Sequence, residues 1–264
     1  MYANHLVVPR GLSFWLTLGL LVAFDVTSNG TPQSDRTLTV STEGPRPLAD
    51  AIETLENRYR WVLTYEDPPY VYASDVEDVT LAVQRTYHPE KRVLVPRGGP
   101  FNFEYALASG AAEPEESVVL ANLLEAYRFS GYPGEFRLLR TGSVFHVVPS
   151  ESRNSFGLFE ARSSLLDANI SIEHQERTAD EMLKAITNTV SASGSATVLP
   201  GTWPLNLFLS IRRYEGAKNE SARTVLLRTL EATHSKWSWR LLCDPGAARV
   251  CALNIHGVAN KAGR

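Results

Sequence analysis

The chain has few of the residues that build metal sites. Only 2 of its 264 residues are cysteine and 6 are histidine. No two histidines lie at the i, i+4 spacing of a helical zinc site, and the HExxH motif is absent. Because neighbouring residues supply no set of metal ligands, we predict that the protein binds no metal.

Motifs for cofactor binding and nucleophilic catalysis are also missing. The chain contains no GxSxG elbow, no P-loop and no GxGxxG fingerprint. We therefore expect no cofactor and no catalytic residues, and a non-enzymatic protein is the favoured interpretation.

Carboxylates leave one enzymatic alternative open. A hydrolase would use acids brought together from Glu66, Asp67, Asp75 or Glu90, an arrangement that sequence spacing alone does not exclude. Glu66 and Asp67 are adjacent, however, and consecutive residues at the end of a strand point in different directions. We interpret this pair as part of a solvated turn.

The chain also lacks runs of basic residues. It has 26 Lys and Arg residues against 29 Asp and Glu residues, which gives a formal net charge of −3, and its pI is about 6.1. This balance argues against nucleic acid and against an anionic membrane surface as partners.

Long apolar runs are scarce, and the exception lies near Met1. Residues 11–24 (GLSFWLTLGLLVAF) follow Arg10 and precede a VTS tripeptide that ends at Ser28. This pattern is typical of an export signal, so we predict a signal peptide over 1–28, with an uncleaved single-span anchor as the alternative. Residues 29–36 are predicted to be a disordered lead-in. The protein is then expected to be exported, periplasmic or secreted, with no membrane contact beyond such an anchor.

Both cysteines fall in a predicted hairpin. Apolar residues alternate with others on the two sides of a DPG turn at 244–246, namely Trp237, Trp239, Leu241 and Cys243, then Cys251, Leu253 and Ile255. Only one register puts all of them on one face, and it sets Cys243 opposite Cys251. We predict a disulfide between these two cysteines, as an exported protein permits. Two reduced core cysteines are the alternative.

The order of predicted elements repeats along the chain. A helix predicted from Ala222, with Arg223 outside its apolar stripe, precedes the hairpin. Residues 123–126 (LLEA) align with 229–232 (TLEA), and each half then reads β-α-β, a variable connection and α-β-β. We predict an α+β fold of two related small modules, each with two helices packed on a short mixed sheet.

The predicted boundaries follow from this alignment. They are a first module at 37–150, a linker at 151–165, a second module at 166–258 and a tail at 259–264. Within the second module, Thr178 and Glu181 have the spacing of a capping box. Residues 205–211 (LNLFLSI) are predicted to be a strand.

The second module resembles the short secretin and TonB N-terminal domain, a small periplasmic module of secretion pores and iron-receptor transducers. The resemblance is carried by the strand 170–172 (ISI), the helix 178–190, the strand 205–211, and the run 222–230 followed by WRLL at 239–242. It implies an adaptor that contacts other periplasmic proteins. The sequence departs from the family because no outer-membrane β-barrel or secretin pore follows, so a partner would have to supply any channel.

One loop combines tyrosines, acids and a diproline. Its residues are Tyr65, Glu66, Asp67, Pro68, Pro69, Tyr70 and Tyr72. Prolines fix the backbone and tyrosines supply contact area at low entropic cost, which favours an interaction loop. A packed linker between domains is the alternative. His146, in a predicted hairpin strand, is interpreted as a satisfied surface or edge histidine.

These patterns favour an exported, non-enzymatic binding or adaptor protein of the bacterial cell envelope. Its partner is expected to be another envelope protein, or a peptide or cell-wall ligand. The alternatives are the extracellular hydrolase and a structural subunit of an envelope secretion or transport assembly.

Overall fold

The computed structural model describes residues 36–88, 92–193, 196–245 and 249–259. The predicted signal or anchor, the lead-in up to residue 35, Glu90 and the tail from residue 260 lie outside these residues. All described residues belong to one compact unit.

The described residues form an α+β fold, as the sequence predicted. The strands are β1 (Arg36–Thr42), β2 (Val62–Glu66), β3 (Val76–Asp78), β4 (Leu94–Pro96), β5 (Phe101–Leu107), β6 (Glu135–Thr141), β7 (Val144–Arg153), β8 (Phe159–Ala161), β9 (Asn169–Thr178), β10 (Thr197–Pro200), β11 (Arg212–Ser221), β12 (Trp237–Cys243) and β13 (Val250–Gly257). The helices are α1 (Pro47–Tyr59), α2 (Ala82–Tyr87), α3 (Glu116–Phe129), α4 (Ala179–Ala192), α5 (Leu205–Ser210) and α6 (Ala222–Glu231).

One mixed sheet runs through both halves of the chain. Its order is β10-β13-β12-β2-β7-β6, and β8 pairs with the far end of β7. In the first half β2 is parallel to β7, which is antiparallel to β6. In the second half β10 is parallel to β13, which is antiparallel to β12. The parallel pair β12–β2 joins the two sets of strands. Strands from both predicted modules therefore share one continuous sheet. The division of the chain into two modules stays a prediction.

The central sheet is covered on both faces. On one face Val62 and Leu241 pack with buried residues of α4 and α6. On the other, Leu63 and Tyr65 pack with buried residues of α1 and α3. Successive side chains of a strand point to opposite faces, so all five residues of β2 are buried.

The second face of β12 corrects the sequence interpretation, which gave this strand a single apolar face. Ser238 is buried and donates a hydrogen bond to the carbonyl oxygen of Leu63. Arg240 is also buried, and its guanidinium lies 3.9 Å from a carboxylate oxygen of Glu56 on α1. The polar residues of β12 therefore face the first half of the chain, where the sequence pattern suggested solvent.

Local signals mark the starts of α1 and α4. Pro47 is the first residue of α1, where its missing N–H costs no hydrogen bond. Thr178 caps α4 by accepting a hydrogen bond from the Glu181 N–H at 3.1 Å, and the Glu181 carboxylate accepts from the Thr178 N–H at 2.7 Å. The predicted capping box is confirmed.

The predicted strand at 205–211 is wrong. Residues 205–210 form the helix α5, and the strand β11 begins only at Arg212. Phe208 is the one buried residue of this helix, and its ring lies 5.0 Å from that of Trp237. Short apolar runs fit a strand and a helix equally well, so the pattern of apolar residues does not separate the two here.

The C-terminal hairpin has the predicted register. Cys243 pairs with Cys251, and the same alignment joins Trp239 to Ile255. The two cysteines form a disulfide, with Cα atoms 3.9 Å apart. Both predictions are confirmed, including the pairing of the cysteines.

We expect the disulfide to contribute modestly to stability. The bond closes a sequence separation of only 8 residues, so replacing both cysteines by serine should lower the free energy of unfolding by about 2.5 kcal/mol. Urea denaturation of the oxidised protein, the reduced protein and the double variant measures this loss. Alkylation of the untreated protein should modify neither cysteine, and modification of both would contradict the assignment.

Candidate functional site

A cavity of about 530 Å³ opens where the two halves of the chain meet. It lies where the parallel pairing of β12, β2 and β7 ends, and its wall includes Cys243 at the end of β12, Asp67 directly after β2 and Pro149 within β7. Ala161, the last residue of β8, and residues 162–165, 167 and 168 supply a further side. Carboxyl ends of adjacent parallel strands are a frequent place for a binding crevice.

Much of the cavity wall is apolar and fixed. It includes Pro69, the ring of Tyr70, Leu165 and the disulfide between Cys243 and Cys251. The prolines and the disulfide restrict backbone motion, so this part of the wall is preformed.

Asp67 connects several residues around the cavity through hydrogen bonds. Its carboxylate accepts hydrogen bonds from the hydroxyls of Tyr65 at 2.9 Å and Tyr70 at 2.8 Å. It also accepts from Arg46 Nε at 2.7 Å and from the Cys243 N–H at 2.8 Å. Burial, together with the nearby Asp67 carboxylate, raises the pKa of Tyr70 well above its usual value. Tyr70 therefore stays protonated and remains a donor to Asp67.

Glu66 makes a second buried charge cluster on the opposite side of β2. Arg223 of α6 donates to its two carboxylate oxygens at 3.0 and 3.1 Å, and the Ser164 hydroxyl donates to it as well. Arg223 also pairs with Asp167. Burial raises the pKa of Glu66 to about 7, although the Arg223 charge opposes this rise. The cluster joins β2 to α6 and to the segment that borders the cavity.

His146 lies beside this cluster and is fully buried, so the interpretation as a surface or edge histidine is wrong. Its Nδ1 is 2.8 Å from the Thr64 hydroxyl, and its ring lies 5.2 Å from that of Trp239. Burial lowers the pKa of His146 to about 4, and the Arg223 charge acts in the same direction. The imidazole is therefore neutral at pH 7.

The interpretation of Glu66 and Asp67 as a solvated turn is also wrong. Their exposed fractions are 0% and 4%, because β12 and α6 cover the end of β2. Tyr65 and Pro68 are buried too, whereas Pro69, Tyr70 and Tyr72 are partly exposed. Of the predicted interaction loop, the residues that line the cavity are Asp67, Pro69 and Tyr70. The loop's role in contacting a partner stays a prediction.

Of the acids proposed for a hydrolase, the structure describes Glu66, Asp67 and Asp75, and these three do not converge. Glu66 pairs with Arg223 and Asp67 with Arg46, on different sides of β2. Asp75 forms an ion pair with Arg153 at 2.6 Å. Each of these carboxylates faces an arginine of its own.

Sequence reasoning missed Arg223, which lies outside the apolar stripe of its helix and is nonetheless only 8% exposed. One signal was available. Arg223 is the second residue of α6, after the N-cap Ser221, and a cation in the first turn is disfavoured by the helix dipole. A carboxylate partner offsets this cost, and the structure supplies two, Glu66 and Asp167.

Comparisons of the chain with protein-family models, curated proteins and solved structures find no match. The resemblance to the secretin and TonB N-terminal domain stays a prediction. Among the residues that the structure describes, no helix is both long enough and apolar enough to cross a membrane. In the same part of the chain, no three or more His, Cys, Asp or Glu side chains gather where they would hold a metal ion.

We expect Glu66 to make stability fall as pH rises. Its folded-state pKa of about 7 exceeds the usual carboxyl value. The stabilisation that comes from protonated Glu66 is therefore fully present at about pH 4 and is lost as pH rises through about 7. His146 acts in the opposite direction, because its lowered pKa of about 4 favours the folded state at higher pH. The variant Glu66→Gln removes only the first effect.

The difference in free energy of unfolding between Glu66→Gln and wild type should therefore shift in favour of the variant by about 3 kcal/mol as the pH rises from about 4 to about 8. Urea denaturation across this range measures the difference. Glu77→Gln, at an exposed position of β3, is the control and should follow the wild type. Curves for Glu66→Gln and wild type that run parallel at every pH would contradict the buried, proton-binding role of Glu66.

Proposed function

We propose that the protein is an exported binding protein of the bacterial cell envelope, and that it takes a small ligand or a short peptide segment in the cavity between its halves. The observation that carries this proposal is a preformed cavity whose wall carboxylates Asp67 and Asp167 are already paired with arginines. Such a wall can orient a ligand without reacting with it.

The size and lining of the cavity support ligand binding. Its volume of about 530 Å³ falls in the range of ligand pockets, which are largely apolar with a few fixed polar groups. Pro69, Tyr70 and Leu165 supply apolar surface, and Arg162 and Ser163 supply polar groups. This combination is typical of selective binding.

The rigidity of the wall supports affinity. Asp67 accepts four hydrogen bonds, and two of them fix Tyr70 and the end of β12. Ser164 accepts from the Leu166 N–H at 3.2 Å and donates to Glu66, which anchors the segment after β8. A wall that is ordered before binding reduces the entropy lost when a ligand binds.

The pairing of the acids favours binding over hydrolysis. A general base must be within reach of the substrate proton and able to accept it. Asp67 and Asp167 line the cavity, but Asp67 accepts from Arg46, and Asp167 accepts from Arg223 and Arg137. Both carboxylates are therefore stabilised as acceptors of protein donors.

Export rests on the apolar run at 11–24 and agrees with the disulfide, which persists in oxidising compartments. The resemblance to the secretin and TonB N-terminal domain adds an adaptor role to the proposal. The partner would then be another envelope protein, a peptide or a cell-wall fragment.

A filled cavity should abolish ligand binding. Ala168 lines the cavity, so Ala168→Trp places an indole in it, whereas Ala112→Trp adds the same ring at an exposed loop position. We expect native mass spectrometry of protein isolated from its own envelope fraction to show a bound mass in wild type and Ala112→Trp and none in Ala168→Trp. A bound mass that persists in Ala168→Trp would place the binding site elsewhere.

The export proposal predicts a cleaved chain. Sequencing of the protein from the envelope fraction should find a terminus near Asn29, because the VTS tripeptide fits a signal-peptidase site. Replacing Ser28 by the bulky Trp should slow cleavage and leave a longer chain. An intact Met1 in the membrane fraction would favour the uncleaved anchor.

A further inference from the structure

The acids of the cavity wall are already engaged. Asp67 accepts four hydrogen bonds, and Asp167 pairs with both Arg223 and Arg137. Asp244, exposed at the rim, also has a partner. A ligand cation at Asp67 or Asp167 would therefore compete with protein donors that are already bound there.

Some donors in the same wall retain binding capacity. Arg162 donates from Nε to the Ser152 hydroxyl at 3.1 Å and from one terminal nitrogen to Glu160 at 2.8 Å. Within the described residues, nothing engages its other terminal nitrogen, the Ser163 hydroxyl or the Arg249 guanidinium. Arg162, Ser163 and Arg249 all line the cavity. These groups are donors that suit an anion.

Arginine is well suited to a planar anion. Its guanidinium binds a carboxylate through two parallel N–H donors, and such charge-assisted bonds are stronger than those between neutral groups. The fixed charge of Asp244 at the rim opposes additional negative charge, so the site suits a single anionic group. The apolar surface of Pro69, Tyr70, Leu165 and the disulfide would contact the remainder of the ligand.

We propose that the cavity binds a ligand with an apolar body and one terminal carboxylate, which Arg162 and Arg249 hold with the help of the Ser163 hydroxyl. This assignment rests on the proposed function and names its ligand class. Two sources supply this chemistry, namely the free carboxyl terminus of a peptide and an acyl acid.

Calorimetry with matched acid and neutral probes tests the assignment on the full chain. The peptide arm compares N-acetyl-Leu-Ala carrying a free carboxylate with its amide, and the acyl arm compares octanoate with octanol. We expect the acid of at least one arm to bind about tenfold or more tightly than its neutral counterpart, because one charge-assisted interaction is sufficient for this difference. The arm that shows the preference identifies the source.

The double variant Arg162→Gln/Arg249→Gln should lose the preference for the acid. Arg249→Gln alone, at an exposed position, should weaken the acid about threefold or more without a change in fold, and circular dichroism checks the fold. Arg36→Gln, which removes an exposed charge on β1, is the matched control and should keep the preference.

Three results would overturn the assignment. Acid and neutral probes that bind equally, with Ala168→Trp blocking both, would keep the cavity as a binding site but refute the carboxylate. An acid preference that survives both Arg249→Gln and the double variant would refute the role of these arginines. Failure of every acid probe to bind would refute the ligand class, and native mass spectrometry of the isolated protein would still decide whether the cavity binds a ligand of another kind.

Discussion

The structure depends on how two strands from opposite halves of the chain are joined. Parallel pairing of β2 and β12 covers only Tyr65 with Arg240 and Glu66 with Leu241. One further backbone bond, from the Asp67 N–H to the Leu241 carbonyl at 2.8 Å, extends it. So short a ladder cannot by itself hold two halves with separate apolar cores. Side chains at the end of β2 therefore complete the joint.

The side chains of Glu66 and Asp67 complete the connection between β2 and β12 with ion pairs in two directions. Because they are consecutive, Glu66 reaches Arg223 on α6 and Asp67 reaches Arg46 just before α1. Removing one partner of a buried ion pair is costly, while replacing both with apolar groups is often neutral. A buried pair of this kind is therefore weak evidence for net stability. The Cys243 N–H, which donates to Asp67 at 2.8 Å, shows a carboxylate continuing the ladder where the strands diverge.

The sequence predicted the features that depend on neighbouring residues. The alternation after Trp237 predicted the hairpin register, and Thr178 and Glu181 marked a helix start, because each of these signals relates residues of one continuous segment. The joint could not be predicted in this way. Glu66 and Arg223 are 157 positions apart, and no local pattern relates them. The prediction of a strand at 205–211 failed for another reason. The leucines at 205, 207 and 209 alternate as in a strand, although in the helix α5 they are 47%, 38% and 48% exposed.

The same constraint accounts for the position of the cavity. Where β12 and β2 stop pairing, the chain leaves the sheet in two directions, toward the diproline after Asp67 and toward the disulfide at Cys243. The space between these paths is the cavity, and both of its walls are fixed, one by prolines and the other by a covalent bond. Asp67 contacts both walls directly, through Tyr70 and the Cys243 N–H. A ligand in this position would touch each half of the chain, so its affinity would depend on the same joint that holds the halves together.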